Sequence, residues 1–176
     1  IDNSDRSIDG DFCPNRLEAQ KITTQLLVKH FKHLSSRTQI GIGTLGRNTT
    51  GIVASLTEEE KKLDDALEII KPNGPISLYQ GIKCAFLALH HRCTETKNTQ
   101  RIIVFIGSKY FLSDQNIDDL EKMSKKEAVA IDIIAFGDEV QDTQVLEDLV
   151  EKMNQPSYFL RIKGGEDLPE LVLQSQ

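Results

Sequence analysis

The sequence predicts an α/β domain of the doubly wound type: a mostly parallel central sheet with one antiparallel edge strand and helices on both faces. Three observations predict it. Extended apolar runs alternate along the chain with amphipathic stretches of helical period. One run, Ile102-Ile103-Val104-Phe105-Ile106, is apolar at every position, as a strand covered on both faces must be. Turn residues punctuate the runs, most densely at Lys71-Pro72-Asn73-Gly74-Pro75. At 176 residues the chain is long enough for one domain with its own core, so residues 1–176 read as a single unit.

The elements follow in order. Ile1-Asp2 reads as the last step of a strand whose body precedes Ile1, and in such a sheet that strand is central. Pro14 suits a first helical turn, and Arg16–Leu34 follows it with Leu27, Phe31 and Leu34 on one face. Residues 39–45 and 51–56 are short extended runs that form a hairpin at one edge. Thr57 followed by Glu60 is a capping-box signature for a helix reaching Ile69 or Ile70. Ser77 can cap the next helix, where Leu78, Ile82, Ala85, Phe86 and Leu89 recur at helical spacing. Strands are expected at 101–106, 128–136 and 157–162. Ile117, Leu120 and Met123 mark a helix between the first two, and Val145, Leu146, Leu149, Val150 and Met153 mark another before the third. A short helix near 168–173 closes the chain.

Composition narrows the function classes. Hydrophobic content of 39% and charged content of 27% are those of a soluble globular protein. A net charge of −6, with acids and bases interspersed, disfavours a nucleic-acid surface, which needs clustered Lys and Arg. No apolar run approaches the roughly 20 residues of a membrane-spanning helix. Cys13, Cys84 and Cys93 are odd in number and widely spaced, which reads as reduced thiols in the cytoplasm or nucleus. The Asn48-Thr49-Thr50 sequon carries no meaning in those compartments. The first residue is Ile rather than Met, so a targeting segment upstream is left open.

The chemistry-bearing motifs are incomplete. Asp2-Asn3-Ser4-Asp5-Arg6 is one hydroxyl short of an Asp-x-Ser-x-Ser loop, which offers a divalent cation three hard oxygen ligands; Arg6 stands where the second serine belongs. Gly41-Ile42-Gly43-Thr44-Leu45-Gly46 has the spacing of a phosphate-binding loop, but it lies inside a strand and no helix opens after it. Its glycines read instead as sites of close packing of helices on the sheet. His30 and His33 lack further ligands; His90 and His91 end a helix beside Arg92, with Cys93 nearby. Ser108 follows a buried strand but has no nucleophile-elbow flanks and no assigned base. Asp64-Asp65 and Asp118-Asp119 read as solvated helix faces, and Asp132 as a hydrogen-bonding site on a strand. No enzyme and no cofactor are implied.

Several stretches together resemble a von Willebrand factor A-type domain of the branch found in ubiquitin-receptor subunits of the 26S proteasome regulatory particle. They are Ile1-Asp2-Asn3-Ser4; Gly10-Asp11-Phe12 with Pro14, Arg16-Leu17 and Ala19-Gln20; Gly81-Ile82 with Ala88-Leu89-His90-His91-Arg92; Arg101 to Ser108; and Ile131-Asp132-Ile133-Ile134 with Phe136-Gly137. Metal-binding members complete the site with a Thr from a second loop and an Asp from a third. Here those loops offer Ser77, and Ile106-Gly107-Ser108 with no carboxylate. The resemblance therefore implies no metal. Asp2 orders the loops by accepting backbone N–H bonds, with Arg6 as counter-charge, and Gly107 is small enough for the loops to pack directly.

The role so implied is a non-catalytic scaffold in the cytoplasm and nucleus, docking at the lid–base junction of the regulatory particle. Its partners are lid and base subunits, met by the first helix and by the top of the sheet with Asp2, Ser4, Ser77 and Ser108. Ubiquitin is caught in this branch by separate helical motifs, whose pattern is missing from Leu168-Pro169-Glu170-Leu171-Val172-Leu173; a further tail would have to supply it. Replacing Asp2 with Ala or Arg should then weaken docking and leave the isolated fold largely intact. The rival resemblances are the A-type subunit of the transcription and repair factor TFIIH and a metal-dependent adhesion domain.

Overall fold

The computed structural model describes residues 1–90 and 99–175. His91, Arg92 and Cys93 lie outside the described residues. A short 3-10 helix, Asp5–Ile8, precedes α1 (Arg16–Leu34), β1 (Ile40–Thr44), β2 (Gly51–Thr57), α2 (Glu60–Ile69) and α3 (Leu78–His90). Then come β3 (Gln100–Ile106), α4 (Asp114–Glu127), β4 (Val129–Phe136), α5 (Thr143–Lys152), β5 (Phe159–Ile162) and α6 (Leu168–Gln174).

The strands form two ladders. β3, β4 and β5 are parallel, with Ile102 opposite Ile131 and Ile133 opposite Phe159. β1 and β2 form the antiparallel pair expected at the edge, its register shifted twice, between Ile40 and Ile42 and between Ile42 and Gly43. Ile1 lies between the ladders: its amine donates to Gly43 O at 2.9 Å and its carbonyl accepts from Leu45 N at 3.0 Å.

β4 is buried at every position, and its two faces belong to different cores. Ile131, Ile133 and Ala135 pack in one core with Ile82 and Phe86 of α3, Leu120 of α4, and Leu146 and Leu149 of α5. Ile134 and Phe136 face the other way, toward Ala19 and Leu27 of α1 and Leu168 and Val172 of α6. A period of two on the strand and 3.6 on the helices thus produces helices on both faces. Asp132 shares the second face and is 2% exposed. It is paired with Arg101 and accepts from Tyr158 N at 2.9 Å. Burial raises its pKa, against the pull of the Arg101 charge.

Two helix starts differ from expectation. α1 is capped by Asn15, whose side chain accepts from Glu18 N, so Pro14 lies outside the helix instead of in its first turn. The Thr57–Glu60 capping box does not form, because Thr57 ends β2; its hydroxyl accepts from Glu59 N, and Glu60 is the first helical residue. The reciprocal box occurs at Ser113 and Asn116 of α4. Helix α4 ends on Ala128, held left-handed at φ 53°.

Candidate functional site

The loops after Ile1, β1 and β3 converge at the carboxyl ends of the parallel strands, the usual place for a site in an open α/β sheet. Asp2 is at their centre, 1% exposed. Its Oδ1 accepts from Ser4 N at 2.9 Å; its Oδ2 accepts from Gly107 N at 2.7 Å and from Ser108 Oγ at 2.8 Å. The backbone of Asp2 is held as firmly: its N–H donates to Gln20 Oε1 at 2.8 Å, and its carbonyl accepts from Gln20 Nε2 at 2.9 Å.

Gly107 is gripped from both sides. While its N–H bonds Asp2, its carbonyl accepts from Arg16 Nη1 at 2.7 Å. Arg16, 4% exposed, also forms a bidentate pair with Asp11, Nε to Oδ1 and Nη2 to Oδ2, each 2.7 Å. Burial alone lowers the guanidinium pKa, but the bond to Asp11 and the charges of Asp11, Asp9 and Glu139 raise it on balance. A Cβ on Gly107 would fall 2.4 Å from Phe136 Cζ, so the close neighbour that requires glycine here is a core ring.

Asn3 ties in a further pair of loops. Its Oδ1 accepts from Gly46 N at 2.7 Å, and its Nδ2 donates to Lys71 O at 3.0 Å and Thr49 Oγ1 at 3.2 Å. A Cβ on Gly46 would meet Asn73 O at 2.6 Å and Asn3 Oδ1 at 2.7 Å. Gly41 and Gly43 are hemmed by the β2 backbone, at Ala54 O and Gly51 O. The closeness of these three glycines is therefore to strand and loop backbone, where helix packing was expected.

Of the four expected site residues, Asp2, Ser4 and Ser108 are brought together, all buried. Ser77 sits apart, half-buried just ahead of α3, its N–H donating to Leu45 O at 2.7 Å. Arg6 is not the counter-charge of Asp2; it points outward between Asp9 at 3.7 Å and Glu139 at 3.8 Å. Asp119 is more than a solvated residue, since Tyr79 donates to it at 2.5 Å. Asp2 is buried under three donors, so Asp2→Ala is expected to carry a stability cost beside any effect on docking.

The residues do not fit a divalent cation. Both Asp2 oxygens already accept hydrogen bonds, and the third loop position is a cation. The Ser4 hydroxyl is buried with no hydrogen-bond partner among the described residues, as is that of Ser7; one hydroxyl cannot replace a hydration shell. Ser108 Oγ is turned to Asp2 as a donor.

What remains is a rigid rim. Ile8 of the 3-10 helix is 66% exposed, and Phe111, in the loop after β3, is 80% exposed. Tyr110 Oη donates to Asp142 O at 2.8 Å, and Arg6 reaches Glu139, so both segments border the β4–α5 loop. Arg16, Gln20 and Asn3 had been given no role from sequence. A signal existed: Arg16, Gln20 and Thr23 take the buried stripe of α1 at helical spacing, polar residues where apolar ones are the rule.

The family model for the von Willebrand factor type A domain matches residues 1–109. The chain is 33% identical over 179 residues to the 26S proteasome non-ATPase regulatory subunit 4 of Schistosoma mansoni, an alignment covering 99% of this chain and 42% of that protein. It is 34% identical over 154 residues to the 26S proteasome regulatory subunit rpn10 of Schizosaccharomyces pombe, covering 88% and 63%. The chain thus spans 42% to 63% of the length of these two relatives. The crystal structure of the SpRpn10 VWA domain superimposes with a TM-score of 0.88 at 32% identity, covering 99% of this chain and 91% of that one.

Proposed function

This chain belongs to the von Willebrand factor type A family, and from that membership we propose that it is a non-catalytic scaffold of the 26S proteasome regulatory particle, docking at the junction of lid and base. The observation that carries this reading is the end-to-end likeness to proteasome regulatory subunits, 99% of the chain at 32% identity. The loop clamp supports it: a carboxylate saturated by backbone and hydroxyl donors stiffens the top of the sheet and leaves nothing for substrate or metal. On this reading Asp2, Ser4 and Ser108 shape the docking face from beneath, Ser77 starts the neighbouring helix, and Ile8 and Phe111 are the groups that touch the partner. Lid and base subunits are the partners, in cytoplasm and nucleus, and the domain does not itself capture ubiquitin.

The test is affinity purification of the tagged chain from native lysate. Lid and base subunits should co-purify, and Ile8→Asp with Phe111→Asp should reduce their yield at least tenfold with an unchanged circular dichroism spectrum. Recovery of TFIIH subunits, or of no regulatory-particle subunits, would refute the assignment. One observation favours a second reading, a metal-dependent adhesion domain: the unpartnered Ser4 hydroxyl. That reading demands a Tm that rises with millimolar Mg²⁺, since a ligand of the folded state stabilises it by mass action.

A further inference from the structure

The amino end of the sheet, opposite the clamp, holds a buried ion pair that the fold does not require. Asp132 lies in the middle of β4, and its Oδ2 accepts from Arg101 Nη1. Taking a carboxylate out of water is costly, and exchanging such a pair for apolar residues is often neutral or stabilising. What the pair does here is hold Tyr158. Asp132 Oδ1 accepts from Tyr158 N at 2.9 Å, Arg101 Nη2 donates to Pro156 O at 3.2 Å, and the guanidinium lies 5.5 Å from the centroid of the Tyr158 ring. Tyr158 itself is 54% exposed. An aromatic side chain fixed in place yet open to solvent loses little freedom on binding, and Tyr and Arg are enriched at the energetic centres of interfaces.

The helix ends at this pole are basic. Helices α1, α4 and α5 run from the clamp end to the amino end of the strands, and their last turns carry Lys32 and His33, Lys125 and Lys126, and Lys152. Such charges complement the helix macrodipoles, but on α4 and α5 they also gather. Lys122, Lys125 and Lys152 are exposed and converge on Glu121. Its carboxylate is held below the ordinary range, first by its bond to Lys125 and then by the charges of Lys125, Lys152 and Lys122. One carboxylate among three ammonium groups leaves the patch positive, on a chain whose net charge is −6. Glu127, nearby on α4, is itself engaged by His90 at 3.2 Å and Lys126 at 3.6 Å. The patch and the tyrosine are stitched together: Asn154 N donates to Ser124 Oγ at 2.8 Å, Ser157 Oγ donates to Asn154 O at 2.6 Å, and Ile131 N donates to Ser157 Oγ at 2.9 Å.

The geometry points to this pole as a second docking surface, one that takes an acidic segment of a partner subunit: carboxylates of the segment meet Lys122, Lys125 and Lys152, and its chain lies on the Tyr158 ring. This surface presupposes the scaffold role proposed above, since a scaffold at a junction holds two partners. The six residue steps along β3 from Arg101 to Gly107 set the two poles about 20 Å apart, too far for one small contact. Their charges also differ in sign. Around Ile8 and Phe111 the exposed loops carry Asp5, Asp114, Asp138 and Asp142 against Arg6 and Lys109. An acidic segment suited to the lysine pole is therefore repelled from the clamp pole, which fixes the orientation of the domain between its partners.

The test titrates the 176-residue chain against regulatory particle purified without this subunit. Four chains are compared: the wild type, Tyr158→Ala, Lys125→Glu/Lys152→Glu, and the control Lys61→Glu/Lys62→Glu, which makes the same charge change on the exposed face of α2. Tyr158→Ala and Lys125→Glu/Lys152→Glu should each raise Kd at least tenfold with Tm unchanged, and the control should raise it less than twofold. Added salt should weaken the wild type more than the Lys125→Glu/Lys152→Glu chain. Equal binding by all four chains would overturn the second surface and leave the scaffold role standing, whereas no binding by the wild type would refute both. A loss confined to one of the two variants would also overturn it, because ring and cations form one surface. So would binding abolished by nuclease, which would assign the lysines to nucleic acid.

Discussion

Asp2→Asn isolates the clamp, because it keeps the shape and removes one acceptor. Asp2 accepts three bonds within 2.9 Å, two of them from backbone N–H groups that have no water to turn to. An asparagine carries one acceptor oxygen, best left facing Gly107 and Ser108; its NH₂ then meets the Ser4 N–H donor. One buried donor loses its partner, at about 1–3 kcal/mol, and the surviving bonds lose their charge assistance. The expected total is roughly 3 kcal/mol, a large share of the roughly 5–15 kcal/mol that stabilises an ordinary domain. Asp2→Ala should cost about 4 kcal/mol, since all three donors are orphaned. Ser108→Ala removes a donor along with its bond and should cost only about 1 kcal/mol. Urea unfolding followed by far-ultraviolet circular dichroism suits a chain without tryptophan. The double variant Asp2→Asn/Ser108→Ala should show a coupling of about 0.5–1.5 kcal/mol, because the two residues share one bond. An Asp2→Asn cost under about 0.5 kcal/mol, or additive effects, would refute the clamp as described.

Three further outcomes are expected. The Ile1 ammonium is protonated up to pH 8.0 in the unfolded chain but loses its proton near 6 when folded, so between those values the unfolded state binds more protons and stability rises with pH. The rise is at most about 2.7 kcal/mol and should vanish on N-terminal acetylation, with urea midpoints at pH 6 and pH 8 compared for the free and acetylated chains. Gly107→Ala should lower stability by about 2–3 kcal/mol, measured in the same way, since its methyl group meets the Phe136 ring at 2.4 Å. Ala128→Gly should raise stability by about 0.5–1 kcal/mol, because it relieves an exposed left-handed residue at φ 53°; no gain in Tm would show that the local backbone relaxes without it.

The parts of the fold legible in the sequence were those set by periodicity. Helix α1 has the bounds its pattern implied, and the five strands fall within two residues of expectation, because an all-apolar run such as residues 102–106 of β3 has no other stable place than a sheet interior. Caps were read less well. Thr57 and Glu60 have the right spacing for a box, but the spacing does not reveal that the strand continues through Thr57 and takes its backbone out of the cap geometry. At the site, the short-range part was readable, since Asp2 and Ser4 are two residues apart. The clamp itself joins Asp2 to Gly107 and Arg16 to Gly107, 105 and 91 positions apart. Only topology brings such groups together, and no local pattern encodes it.

The clamp depends on the register of the chain at Ile1 through a period of two. Side chains alternate across a strand, so a one-residue slip of the chain at Ile1 would turn Asp2 away from Gly107 and swing an apolar neighbour into a ring of buried donors. The Gln20 side chain, bonding both the N–H and the carbonyl of Asp2, opposes that slip from the α1 side. Removing the Gln20 amide by Gln20→Leu should therefore loosen the register as well as cost stability. Amide exchange at Gly107, which depends on Asp2, should then quicken together with exchange in β1, although the described hydrogen bonds of the Gln20 side chain go to Asp2 and Arg16. Faster exchange confined to Asp2 and its immediate neighbours would mean that register is set elsewhere, and that the docking face is stiffened by its loops alone.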